Sequence, residues 1–210
     1  MDDPDKPATR LAVAAHEAAG RALREPVTGL PNRELFEDRL MVGISLAKRH
    51  EWLLAVMSIT LDGYRAFSEQ HGVDISDRAL HALGARLFMR ARGGDTISSS
   101  GDDRLLYVLV NPGSRENIRR VAQRVRDRLL LPIEVDSHIL QVTPRIGIAV
   151  YPDDGTASES LVGNALSAMH DARASDFTYM FYESRKTVQA SATSTQEPLN
   201  FSDARDETER

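Results

Sequence analysis

The residues best equipped for chemistry gather around one turn: Asp95, then Gly101-Asp102-Asp103, then Arg104 opening the run Leu105-Leu106-Tyr107-Val108-Leu109-Val110. Adjacent carboxylates suit a hard divalent cation, which prefers oxygen ligands and offsets phosphate charge. Arg104 works against that use, because a guanidinium there repels a metal ion. As structure, the stretch is a hairpin signal: Gly101 and the aspartates supply the unusual backbone angles, and an aromatic and β-branched run follows. Other groups offer less. The 6 histidines show no paired ligand spacing, and Asp153-Asp154-Gly155 is a turn by its chemistry. The absence of cysteine removes disulfides, thiolate nucleophiles and thiolate metal sites together.

These residues need elements to hold them. Asn32 can cap a helix carrying Phe36, Leu40, Ile44 and Ala47 inward, and residues 52–61 form a nearly continuous apolar run expected to be a buried strand. A further amphipathic helix places Leu80, Leu83, Leu87 and Phe88 on one face, with Arg92-Gly93-Gly94 expected at its end as the stop. After the hairpin comes a helix with Ile118, Val121, Ala122, Val125 and Leu129 inward, and Arg119, Arg120, Arg124, Arg126 and Arg128 on its other side. Residues 133–151 predict a strand pair in which Pro144, lacking a ladder donor, argues for an edge or an irregularity. A final helix over residues 158–174 and a closing strand over 178–182 complete the pattern. The expected fold class is α+β: a mixed central sheet flanked by helices, ferredoxin-like or nucleotide-cyclase-like, with a short N-terminal helix.

Domain organisation follows composition. Residues 1–24 hold the lead-in helix, alanine-faced through Leu11, Ala14, Ala15, Ala18, Ala19 and Ala22; it can pair with another copy in a homodimer or lie on the domain. Residues 25–183 make one domain, and residues 184–210 form a polar tail too poor in apolar side chains to order itself. A net charge of −5 leaves no global footprint for nucleic acid. No apolar run approaches the roughly 20 residues that span a bilayer, and Met1-Asp2-Asp3-Pro4-Asp5-Lys6 is unlike a secretory signal, so the expected location is cytoplasmic.

Four segments in order, Thr28-Gly29-Leu30-Pro31-Asn32-Arg33, Leu61-Asp62-Gly63-Tyr64-Arg65, Gly101-Asp102-Asp103-Arg104-Leu105 and Ile146-Gly147-Ile148-Ala149-Val150-Tyr151-Pro152, together resemble the GGDEF family of diguanylate cyclase domains. Leu166-Ser167-Ala168-Met169-His170-Asp171-Ala172-Arg173 is similar to the family's late helix. The resemblance implies a domain that joins two GTP molecules into cyclic di-GMP across a dimer, with two divalent cations held by acidic side chains. Carried over position by position, the carboxylate before the Asp-Gly-Tyr segment becomes Thr60. The signature's second glycine becomes Asp102, its third residue is kept as the acid Asp103, and its fourth becomes Arg104. Asp102 would put a charged side chain where glycine lets the backbone approach a phosphate. The guanine-edge asparagine corresponds to Ser68; Asp77 is retained, though the preceding His and Gly are Val73 and Ser76. The phosphate-contacting lysine is Arg173, with Asp176-Phe177 replacing the Gly-Arg after it. The implied domain is a degenerate, catalytically inactive one with no resident cofactor or metal.

One family feature survives. Arg92-Gly93-Gly94-Asp95 stands in the place of the Arg-x-x-Asp inhibitory site, which binds product in active relatives. An arginine fork can donate to guanine O6 and N7, and a carboxylate can accept from the guanine N1 and N2 donors. The plain structural alternative is a solvated Arg92, a glycine cap and an Asp95 that orders the turn. Arg119, Arg120 and Arg124 could add contacts or form a solvated face. The implied function is a regulatory domain in cyclic di-GMP signalling that binds cyclic di-GMP, a signalling protein partner, or both. The alternatives are a pure interaction scaffold without nucleotide, and a GTP-binding or weak diguanylate cyclase. Tyr151-Pro152-Asp153-Asp154-Gly155 and Phe181-Tyr182 look most like members that precede an EAL phosphodiesterase domain, so the chain is expected to be a stand-alone remnant or a fragment of a longer protein.

Overall fold

The computed structural model describes residues 22–89, 91–99 and 103–182. Its elements in order are α1 (Arg33–His50), β1 (Leu54–Asp62), α2 (Tyr64–His71), α3 (Val73–Phe88), β2 (Thr96–Ser99) and β3 (Arg104–Val110). Then follow α4 (Arg115–Leu129), β4 (Ile133–Val135), β5 (His138–Leu140), β6 (Thr143–Tyr151), α5 (Ser158–Ala174) and β7 (Tyr179–Phe181). Five strands form one sheet in the order β2-β3-β1-β6-β7, while β4 and β5 pair separately. β3 and β6 run antiparallel to β1 on either side of it, and only β7 is parallel to its neighbour. This is the α+β arrangement with a mixed sheet flanked by helices, and its first four strands are a split βαβ unit with one strand added.

Strand alternation sends side chains to two faces. On one face Met57, Ile59, Leu105, Tyr107, Ile146 and Ile148 meet Leu80, Leu83 and Leu87 of α3 and Ile118, Ala122, Val125 and Leu129 of α4. On the other, Leu54, Val56, Val108 and Ala149 meet Phe36 and Leu40 of α1 and Leu161 and Ala165 of α5. Gly147 lets α5 lie directly on β6, since a Cβ there would collide with the backbone of Ala165 and Met169. Asn32 caps α1, its side chain accepting from the Leu35 N–H at 3.0 Å.

Several expectations need correction. To the expected elements the structure adds a helix after β1, α2, where Gly63 at φ 100° turns the chain and Tyr64 and Phe67 are buried. Phe88 is 51% exposed rather than inward, since it projects about 100° round the helix from the buried Leu87. The glycine pair does not stop α3, which ends at Phe88 with Met89 as its cap. Gly93 and Gly94 instead sit in a turn closed by the Asp95 N–H on the Arg92 carbonyl at 2.9 Å. Residues 133–151 supply a small two-stranded sheet and a long strand rather than one pair. Pro144 lies in β6, which is not an edge strand; it falls before Ile146, where pairing with β7 begins. The lead-in helix, apart from its last residues, and the polar tail fall outside the described residues.

Candidate functional site

Two places collect the residues singled out above. The first is the end of the sheet nearest the hairpin. Thr60 is directly opposite Arg104 on β3 and Arg145 on β6, so the three side chains share one row on the α1/α5 face. The Thr60 hydroxyl donates to Asp103 Oδ2 at 3.3 Å, and the Asp103 carbonyl accepts from the Leu61 N–H at 2.9 Å. Gly101 and Asp102 lie outside the described residues. The neighbouring acid, Asp62, is enclosed by cations: Arg145 Nε reaches Asp62 Oδ2 at 3.4 Å, and Arg173 reaches Oδ1 at 3.1 Å. Arg145 continues to Asp176 at 2.6 Å and to the Phe177 carbonyl at 3.2 Å. The hydrogen bond its guanidinium donates to Asp176 holds Arg145 firmly in the charged form.

This donor set does not fit a divalent cation. Of its two described carboxylates, one is engaged by two arginines and the other sits next to Arg104 in sequence. A magnesium ion would have to displace Arg145 and Arg173 before it could use Asp62, and it would meet the like charge of Arg104 beside Asp103. At the guanine-edge positions, Ser68 is engaged within the fold. The Ser68 and Ser76 hydroxyls bond each other at 2.9 Å, and Ser76 donates to the Val73 carbonyl at 2.9 Å. Among the described residues, no group of three or more histidines or acids is placed to hold a metal ion.

The second place is a cleft of about 500 Å³ between the turn before β2 and α4, lined by Arg92, Asp95, Arg120, Arg124, Asn117 and Asp127 among others. Four of the basic and acidic residues singled out from sequence therefore converge. Arg119 does not join them: it pairs with Glu116 at 2.6 Å and lies over the Phe181 ring at 6.0 Å. Helical spacing explains the split, since positions one residue apart point about 100° away from each other.

Asp95 is half-buried, and its carboxylate is held by neutral donors. The Tyr107 hydroxyl donates to Oδ2 at 3.1 Å and the Val110 N–H to Oδ1 at 3.2 Å. Burial pushes the Asp95 carboxyl above its ordinary range, while the Val110 and Tyr107 hydrogen bonds and the Arg92 charge pull it back. Tyr107 is in turn pushed up, first by burial and then by the Asp95 charge. Each carboxylate oxygen has two lone pairs, so one on each remains for a ligand in the cleft.

Sequence reasoning missed two contributors. Tyr107 was read as strand filler, although a polar-tipped aromatic in an apolar run usually seeks a partner when buried. Arg145 was passed over beside Pro144, although a cation in an otherwise apolar strand needs a counter-charge. Glu25, just ahead of the opening motif, is buried and accepts from Val27 N–H, Thr28 N–H and the Thr28 hydroxyl at 2.7, 2.7 and 2.6 Å. These bonds explain much of the Thr28–Asn32 opening motif as structure rather than chemistry.

Comparison with known proteins agrees with this architecture. The bifunctional diguanylate cyclase/cyclic di-GMP phosphodiesterase MucR of Pseudomonas aeruginosa is 33% identical over 184 residues, 87% of this chain, and the match spans 27% of that protein's length. The GGDEF domain of TpbB (YfiN) from Pseudomonas aeruginosa superposes with a TM-score of 0.73 at 25% identity, covering 79% of this chain and 99% of that one. The GGDEF domain of DgcB from Caulobacter crescentus, solved in complex with c-di-GMP, gives a TM-score of 0.69 over 77% of this chain and 94% of that one; at 15% identity the likeness bears on fold alone. The profile of the family described as diguanylate cyclase, GGDEF domain, matches residues 22–178, and the chain belongs to that family.

Proposed function

We propose that residues 25–183 form a catalytically silent GGDEF domain that serves cyclic di-GMP signalling by recognition, binding cyclic di-GMP in the Arg92–Asp95 cleft. The observation that carries this reading is the convergence of Arg92, Asp95, Arg120 and Arg124 on one cleft of about 500 Å³. That volume lies in the range of small-molecule sites, and the charge suits the ligand. The arginines can meet phosphates and the guanine O6/N7 edge, while the carboxylate accepts from guanine N1–H and N2–H. Silence is supported by the row Arg104–Thr60–Arg145 and by the double pairing of Asp62, which leave Asp103 as the one described carboxylate there not paired with an arginine.

Calorimetry with cyclic di-GMP tests the reading. Heat that disappears in Arg92→Ala supports it; no heat at high micromolar ligand leaves the domain as an interaction scaffold. Incubation with GTP and magnesium or manganese, followed by chromatography, tests silence, and sustained formation of cyclic di-GMP would overturn it.

A further inference from the structure

We infer that Tyr107 is a positioning residue of the Arg92–Asp95 cleft: its hydroxyl fixes the Asp95 carboxylate as a two-oxygen acceptor and thereby selects a guanine over an adenine. This rests on the cleft being a guanine site, as proposed above. Guanine presents two adjacent donors, N1–H and N2–H, where adenine presents an acceptor at N1. An acceptor pair held in one plane matches the first and opposes the second.

The geometry supplies the reason. Tyr107 rises from the middle of β3 and is itself 5% exposed, so its ring is fixed by the core beneath the cleft. Its hydroxyl meets Oδ2 while the Val110 N–H from the same strand meets Oδ1. The two donors grip opposite oxygens and remove rotation about the carboxylate axis. They also keep a half-buried acid in its acceptor form. A protonated Asp95 would carry a donor on one oxygen, and that donor would face the guanine N1–H or N2–H.

The charged groups around Asp95 come from four sides. Arg92 is in its own turn; Arg120, Arg124, Asp127 and Arg128 face it from α4. Arg24 and Arg39 share a smaller hollow with it on the far side. The arginines favour the ionised carboxylate and Asp127 opposes it. Tyr107 differs from all of them in touching the carboxylate directly while carrying no charge of its own. Its loss therefore alters orientation and protonation together without changing the net charge of the cleft.

The test is Tyr107→Phe, which removes one oxygen and keeps the ring. Cyclic di-GMP affinity measured by calorimetry should fall about three- to tenfold near neutral pH, because binding must then order a carboxylate that the wild-type protein holds in place beforehand. The loss should deepen as pH is lowered, because the unsupported carboxylate takes up its proton at a higher pH. Cyclic di-AMP binding should change little. The Asp95 carboxyl carbon, followed by NMR without ligand, should titrate at higher pH in the variant than in the wild type. In wild-type protein labelled at tyrosine Cζ, the Tyr107 signal should follow the Asp95 titration, which needs no substitution; a flat Tyr107 signal overturns the inference. A wild-type protein that gives no heat with cyclic di-GMP overturns the ligand reading and, with it, the guanine role of Tyr107. A wild-type protein that binds while Tyr107→Phe binds equally well at every pH overturns the inference alone.

Discussion

Asp62 and Asp95 sit at two ends of the same domain and are held in opposite ways. Asp62 is gripped by the guanidiniums of Arg145 and Arg173 at 3.4 and 3.1 Å, so its charge is spent inside the fold. Asp95 is gripped by a phenol and a backbone amide, which orient its carboxylate without neutralising it, and arginines stand around the cleft rather than on the acid. On the proposed reading, the difference teaches how one site can fall silent while another recognises a ligand with the same residue types. An acid paired to a cation becomes structure, whereas an acid held by neutral donors keeps its charge to present to a ligand.

The strongest way to break this comparison is at the ligand. Arg92→Ala should lower cyclic di-GMP affinity by about 10- to 100-fold, the scale of a lost bidentate arginine–guanine contact of about 1–3 kcal/mol. Equal affinity in calorimetry would show that the cleft binds nothing through Arg92. Next in size is Asp62→Ala, which leaves Arg145, with a side chain only 14% exposed, one carboxylate fewer. We expect about 1.5–3 kcal/mol less stability in urea unfolding, as for hydrogen bonds to charged groups. A neutral result would place Asp62 among ordinary surface acids.

Asp95→Asn should behave in the contrary sense, losing ligand binding while costing little stability. Burial raises the Asp95 carboxyl above its unfolded value, so between those two values the folded state holds more protons than the unfolded one. Stability from this group is therefore greatest below the unfolded value and declines as pH rises through the raised one. The asparagine variant should lack that decline, which parallel unfolding curves across acidic to neutral pH would reveal. The smallest expected effect is at the other end. Thr60→Asp, Arg104→Glu and Asp102→Gly combined should still yield no cyclic di-GMP by chromatography, because Arg145 and Arg173 remain on Asp62 and a serine, Ser68, still stands at the guanine-edge position. Turnover in that variant would show that the three signature changes alone account for the loss.

Much of the scaffold was legible because it is written in local periodicity. Asn32 announced its cap, Leu80, Leu83 and Leu87 announced their face, and residues 158–174 matched α5 (Ser158–Ala174) as built. What escaped was decided over longer distances. The eight residues of α2 carry too little pattern to separate a helix from a loop, and Gly63 acts through a backbone angle that composition does not reveal. Phe88 satisfied a helical face on paper, yet it projects away from the core that its neighbour Leu87 enters.

The sequence by itself determined which residue types each position offers: a threonine and an arginine where acids would bind metal, and an arginine and an aspartate three apart before the hairpin. Only the tertiary structure decided how those charges are used, because pairing depends on distance across strands. It laid Arg145 beside Thr60 and onto Asp62, turned Arg119 toward Phe181 and away from Arg120 and Arg124, and set Tyr107 under Asp95. Coulomb attraction and hydrogen bonding act over a few ångströms, and residues twelve or more positions apart reach that range only after the sheet has formed.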